Sequence, residues 1–213
     1  PPRQGQEPIP LAGREAFEAL RGTDLVDAIG LRRSRRRFLD QALSLTELSW
    51  LLWATQGISE ILAPGCALRT VPSAGCRHAF ETYLLASDIE TLDPGVYRYL
   101  PVAHALVFEH AADNLPAALA RATLGQAFIA AAPVTLAWTV LPYRMEWRYD
   151  IAAHRVIAMD VGHLCQNLYL AATAIGAGAC AIGAYNQAAM DAVLGVDGED
   201  EFVIYVATAG RVK

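Results

Sequence analysis

Thirty consecutive residues, Val161 to Met190, contain no Asp, Glu, Lys or Arg, and neither do the 22 from Ala122 to Tyr143. Stretches this apolar either cross a bilayer or are buried in protein. Pro133 cuts the first, and the sequence after it turns β-like (Val-Thr-Leu-Ala-Trp-Thr-Val). The second carries Gln166, Asn167, Gly176, Gly178 and Gly183. Neither supplies about twenty residues of uninterrupted apolar helix, so neither is read as a membrane span. Both predict a buried helix followed by a buried strand. Val161, Leu164, Cys165, Leu168, Ala172 and Ile175 keep a helical period, predicting a long helix from about Asp150 to about Ile175. Ala158, Ala171 and Ala174 on its other faces would let a second helix approach closely, so this helix belongs in a core or at a subunit interface. With 54% hydrophobic and only 18% charged residues, the chain has more apolar surface than one small domain hides. An obligate dimer is therefore expected.

The remaining elements follow from local chemistry. Thr23 can cap a short helix from Asp24 to about Leu31, with Leu25, Ala28 and Ile29 on one face. Ser44-Leu45-Thr46-Glu47 is a capping box opening a helix through Gln56, stopped by Gly57. Gly65 to Gly75 is read as loop. Strands are expected from Phe80, over Val96–Leu100 and over Ala105–Glu109, with Asp93-Pro94-Gly95 as a turn. Pro116 suits the start of a helix to about Ala131. Ala179–Tyr185 reads as a strand, Gln187–Leu194 as a helix and Glu201–Gly210 as a last strand. Strands and helices mix without βαβ regularity, so the class is α+β. Residues 1–23 form an N-terminal arm and 24–213 a single domain.

Positive charge is concentrated in Leu31-Arg32-Arg33-Ser34-Arg35-Arg36-Arg37-Phe38. The net charge is −5, and without these five arginines it would be −10. Arginine forks match phosphate oxygens two at a time, and a serine among them adds a hydroxyl donor. A phosphate anchor, a solvated turn and a nucleic-acid patch all remain open from this stretch alone. The acidic remainder argues against general nucleic-acid binding. Cys66, Cys76, Cys165 and Cys180 show no CxxC and no zinc-like spacing, so free thiols in a reducing, cytoplasmic setting are expected. The sequence starts Pro1-Pro2, and export of a longer precursor stays open.

Taken in order, Arg-Arg-Ser-Arg-Arg-x-Phe, then Leu-Ser/Thr-x-x-Glu-Leu-x-x-Leu-Leu-Trp-Ala-x-x-Gly, then Arg69-x-x-Pro72-Ser73-Ala74-Gly75 resemble the FMN-dependent nitroreductase superfamily. Gly95-Val96-Tyr97-Arg98-Tyr99 with Ala103-His104-Ala105-Leu106, and Asp160 to Leu168 leading to Ala-x-x-Ile-Gly, are similar to its SagB-type, azoline oxidase-like branch. The resemblance implies a mainly antiparallel central sheet flanked by helices, in an intertwined homodimer with FMN at each of two interfaces. It further implies that Arg32, Arg33, Ser34 and Arg36 hold the phosphate and the pyrimidine edge, with Arg35 and Arg37 facing solvent. Pro72, Ser73, Ala74 and Gly75 of the other subunit would line the isoalloxazine. Ile182, Gly183 and Ala184 would place a backbone N–H near flavin N5, and Arg211 would close on the phosphate.

The activity so implied is ping-pong hydride transfer from NAD(P)H through the flavin to a nitroaromatic, quinone or similar small-molecule acceptor. Oxidation of a small or peptidic substrate by a SagB-type enzyme and non-catalytic FMN storage are the alternatives. Arg148-Tyr149 stands where the azoline oxidase branch has Lys-Tyr, and arginine stays protonated and cannot act as a base. Arg148 then positions or clamps an anion, or pairs with Glu146 or Asp150. Tyr143, Tyr149 and His78 are candidates to face the substrate pocket. His163 reads as a satisfied core group, Cys76 as a loop thiol, and His104 and His110 carry no assigned role. No metal site is expected.

Overall fold

The computed structural model describes residues 2, 5–20, 22–111 and 114–213. In chain order the elements are β1 (Ile9–Pro10), a 3-10 turn (Arg14–Leu20), α1 (Leu25–Leu31), α2 (Leu45–Gln56), β2 (Ile58–Ala63), β3 (Cys66–Arg69), β4 (Phe80–Ala86), β5 (Gly95–Leu100) and β6 (Ala105–His110). There follow α3 (Leu115–Ala122), α4 (Ala127–Ala130), β7 (Val134–Val140), α5 (Tyr143–Tyr149), α6 (Ala153–Ala174), β8 (Ala177–Ile182), α7 (Gln187–Leu194) and β9 (Phe202–Arg211). Seven strands form one sheet in the order β1-β6-β5-β4-β7-β9-β8, and every adjacent pair is antiparallel. β2 and β3 form a separate hairpin. This is the expected α+β architecture with a mainly antiparallel sheet.

Helices cover both faces of the sheet, which is why its central strands are apolar on both sides. Successive residues of β4 point to opposite faces. Leu84 joins a core with Leu48, Leu52, Leu164, Leu168 and Trp138 under α2 and α6. Leu85 joins another with Leu115, Leu119, Met190 and Val206 under α3 and α7. β7 is buried along its whole length. The capping box at Ser44 forms as expected, with Ser44 Oγ accepting from the Glu47 N–H and the Glu47 carboxylate accepting from the Ser44 N–H. Side chains then seal α2 against α6: Trp50 Nε1 donates to the Ala171 carbonyl at 3.0 Å and Asn167 Nδ2 to the Ala54 carbonyl at 2.8 Å.

Several boundaries differ from the sequence reading. Asp24, not Thr23, caps α1, its side chain accepting from the Asp27 N–H. The expected helix to Ala131 is two helices, because Leu124 and Gly125 both take positive φ (57° and 79°) between them. The segment Gly65–Gly75 includes strand β3, since Pro64-Gly65 makes a hairpin turn that pairs Ala63 with Cys66. The long helix begins at Ala153, and the residues before it form α5, a separate helix ended by Asp150 at φ 46°.

Pro1, Arg3, Gln4 and Arg21 of the expected N-terminal arm lie outside the described residues. The rest of the arm is tied to the domain. Ile9–Pro10 pair with β6, the Ala12 carbonyl lies 2.9 Å from His104 Nε2, and Phe17 packs on Trp50 and Trp53. His104, given no role from sequence, also bonds the Tyr99 hydroxyl at 2.8 Å. Among the described residues, no helix is long and apolar enough to cross a membrane.

Two faces are left open. On α1, Ala28 is buried but Leu25, Val26 and Ile29 are exposed, Val26 by 80%. On α6, Ala158, Met159, Gly162, His163 and Gln166 form an exposed stripe. His163 is therefore at the surface and not in the core, because the face it shares is not turned toward the sheet.

Candidate functional site

The arginine stretch runs along the outer edge of the sheet. Ser34 makes a parallel bridge to Ala179 of β8, and the Arg35 N–H donates to the Ala179 carbonyl at 2.9 Å. The stem of Arg35 lies against Gly178, where an added Cβ would fall 2.6 Å from its Cγ. Tyr169 of α6 fixes the centre of the stretch. Its hydroxyl oxygen accepts from the Ala181 N–H at 2.8 Å and shares a hydrogen bond with Ser34 Oγ at 2.9 Å. The Arg32 guanidinium stacks 5.3 Å above the Tyr169 ring and Arg36 lies 5.8 Å from that of Phe128. Arg33 bonds the Gly30 and Arg32 carbonyls, which terminates α1. Among the described residues, none of the five arginines makes an ion pair with a carboxylate. Burial does not explain their accumulation, and self-repulsion opposes it. An edge of unpaired guanidiniums with one serine hydroxyl can take up a dianion.

The Pro72–Gly75 loop is built from the other side of α6. Buried Asp160 accepts from Ser73 Oγ at 2.7 Å and from the Ala74 N–H at 3.0 Å. Ser73 Oγ in turn accepts from the His78 N–H at 3.0 Å. Gly75 has φ 58°, the left-handed region where Cβ is costly, and a Cβ there would lie 2.8 Å from the Tyr149 hydroxyl and 2.9 Å from Arg148 Nε. The structure thus gathers Gly75, Arg148 and Tyr149 at one point. Cys76 Sγ sits 3.4 Å from His78 Nε2. His78 is pushed down to about 4, first by burial and then by Arg69 and Arg77, so its ring is neutral at pH 7.

Nine residues separate Asp160 from Tyr169, which is roughly 13 Å along a helix and two and a half turns around it. The two anchors therefore face opposite sides of α6. Among the described residues, no hydrogen bond or ion pair joins 32–37 to 72–75. Ile182 closes β8, and the exposed Gly183 and Ala184 follow it, with open space where a Gly183 Cβ would be. Arg211 ends β9 and already has a partner, the buried Glu47 carboxylate of the capping box.

A family model described as the nitroreductase family matches residues 29–211. The chain belongs to the nitroreductase family. A candidate nitroreductase of Methanocaldococcus jannaschii is 33% identical over 187 residues, covering 88% of this chain and 90% of that protein. A candidate nitroreductase crystallised from Ralstonia eutropha JMP134 is 30% identical with a TM-score of 0.75, covering 100% of this chain and 98% of that one. A third, from Desulfovibrio desulfuricans, was crystallised with FMN. It is 20% identical with a TM-score of 0.61 over 89% of this chain and 87% of that one, a likeness of fold.

Within this nitroreductase-family chain, the implied residues fall into groups that the chain by itself does not bring together. Two clefts, of about 480 and about 790 Å³, contain neither the arginine edge nor the Pro72–Gly75 loop. Tyr143 is 77% exposed and lines the larger cleft with Arg144 and His154, apart from its helix-mate Tyr149 at Gly75. Sequence reasoning gave no role to Asp160, which it quoted only within a motif, and passed over Tyr169, Arg77 and Trp147. Asp160 had a signal: it is the only Asp, Glu, Lys or Arg between Arg155 and Asp191. A lone acid within a buried helix calls for a specific partner. Tyr169 had none, since its place follows from how β8 packs on α6.

Proposed function

We propose that this chain is an FMN-dependent oxidoreductase that works as a homodimer, passing reducing equivalents from NAD(P)H to a nitroaromatic, quinone or similar small acceptor. Membership of the nitroreductase family supports the class of chemistry. The observation that carries the reading is the edge along β8, where arginines without carboxylate partners collect in an otherwise acidic chain. Arg32, Arg33, Ser34 and Arg36 would hold the doubly charged phosphate of FMN, each charge-assisted bond contributing roughly 1.5–3 kcal/mol. Arg211, already neutralised by Glu47, would add less. When bound, FMN supplies the hydride chemistry, with the two substrates using the site in turn.

The opposite placement of the two groups on α6 supports a dimer. Pro72, Ser73, Ala74 and Gly75 of one subunit would complete the site begun by the arginines of the other, with Ile182, Gly183 and Ala184 along its floor. The open faces of α1 and α6, with Leu25, Val26, Ile29, Met159 and the small residues Ala158 and Gly162, supply apolar surface for that interface. His78, Arg148 and Tyr149 would border the acceptor.

The test is the visible spectrum of the purified protein and an anaerobic titration with NADH and NADPH. A yellow dimer bleached by either supports the proposal; a colourless protein, or one whose flavin neither donor reduces, refutes it. Arg36→Ala should leave the dimer folded and release FMN on dialysis, with the flavin-to-protein ratio falling several-fold.

A further inference from the structure

Two arginines converge on Gly75 from different elements. Arg77 Nε donates to the Gly75 carbonyl at 2.9 Å while its guanidinium lies 5.1 Å from the Trp147 ring. Arg148 Nε reaches the same residue from α5, and its guanidinium lies 5.9 Å from the Tyr149 ring. The obvious carboxylates do not neutralise them. Asp160 is taken by Ser73 and Ala74, and Glu81 by Arg144 and Arg98. Glu146 and Asp150, on α5 and directly after it, make no ion pair with either arginine among the described residues. Neither guanidinium has a carboxylate partner among the described residues, so an anion bound against Gly75 would meet two unneutralised cations. Both already rest on aromatic rings, which restricts their motion and lowers the entropy lost on capturing a ligand.

We infer that Arg77 and Arg148 form an oxyanion clamp beside the Pro72–Gly75 loop, and that the ligand taken there is a planar molecule bearing a carboxylate or phosphate. This rests on the proposed flavin site and names the substrate class it selects. The anion has two sources, a carboxylate on an aromatic acceptor or the 2′-phosphate of NADPH. Flat ligands fit the surroundings, since Gly75 presents no Cβ and the two guanidiniums are planar and held on the Trp147 and Tyr149 rings.

The experiment is calorimetric titration of the purified dimer with 4-nitrobenzoate and its neutral isostere 4-nitrobenzamide, and with NADPH and NADH. A clamp in use gives at least one of these pairs a preference of about tenfold or more for the more anionic member, the scale of one charge-assisted hydrogen bond. That preference should fall toward unity in Arg77→Gln and in Arg148→Gln and be partly retained in Arg77→Lys and Arg148→Lys, which keep the charge if the glutamine variants fold poorly. Loss of the nitrobenzoate preference identifies an acceptor carboxylate; loss of the NADPH preference identifies the dinucleotide phosphate. Equal binding within both pairs in the wild type, or preferences untouched by all four variants, overturns the clamp. Flavin content and bleaching are read separately, so a protein that purifies without FMN refutes the proposed function while these binding ratios still decide the clamp.

Discussion

Replacing Asp160 by alanine should loosen the Pro72–Gly75 loop from the rest of the fold. The side chain is 3% exposed and accepts two hydrogen bonds from that loop, Ser73 Oγ at 2.7 Å and the Ala74 N–H at 3.0 Å. Hydrogen bonds to a charged acceptor are each worth about 1.5–3 kcal/mol. Ser73 and Ala74 are only half-buried, so water can replace part of what is lost, and the lower end applies. Two bonds then give about 3 kcal/mol, which for a chain of this size is a fall in Tm of roughly 6–12 °C. Asp160→Asn keeps the shape and one acceptor and should lose about half as much. Thermal unfolding followed by circular dichroism measures the first effect. Hydrogen exchange at the Ala74 amide locates it, because the local bond should open before the core does. A Tm within about 2 °C of wild type, with Ala74 protection unchanged, would show that Asp160 does not hold the loop and would remove the reason for placing it there.

Two further outcomes are expected. The His78 pKa is depressed to about 4 in the folded chain, against an ordinary value of 6.5, by burial and then by Arg69 and Arg77. The unfolded chain binds this proton first, so stability is full above pH 6.5 and is lost as pH falls toward 4; His78→Asn should flatten Tm across that window, and an unchanged slope refutes the assignment. Cys66 and Cys76 are exposed while Cys165 and Cys180 are buried, with burial pushing Cys165 up to about 12. Brief iodoacetamide treatment read by peptide mass spectrometry should label the first pair and spare the second, and early labelling of Cys165 would contradict the packing of α6 on the sheet.

The elements most legible in the sequence were those whose signal is local. Ser44 and Glu47 are three residues apart and need nothing distant to form a capping box, and α2 begins where they placed it. Pro133 likewise marked the start of β7. The reading failed where one residue's backbone decided the matter. Leu124 takes positive φ and breaks the helix that the pattern carried to Ala131, and Asp150, also at positive φ, ends a helix before it (α5) that the sequence did not predict and sets the start of α6 at Ala153. His163 was misjudged for a different reason. The apolar character of α6 is real on nearly every face, but periodicity cannot say which face turns away from the sheet.

By itself the sequence determined the class of fold, the position of the buried strands β7 and β8 and of most of α6, and the collection of charge at 32–37. Each of these depends on neighbours a few residues apart, where steric preference and hydrophobic period act directly. Only the tertiary structure decided that Ser34 and Ser73 are anchored to opposite faces of α6, by Tyr169 and Asp160. Only it brought Arg77 and Arg148, 71 positions apart, against Gly75. Long-range placement of this kind is set by how a helix packs on a sheet. That depends on the fit of many side chains together, and no short stretch of chain records it.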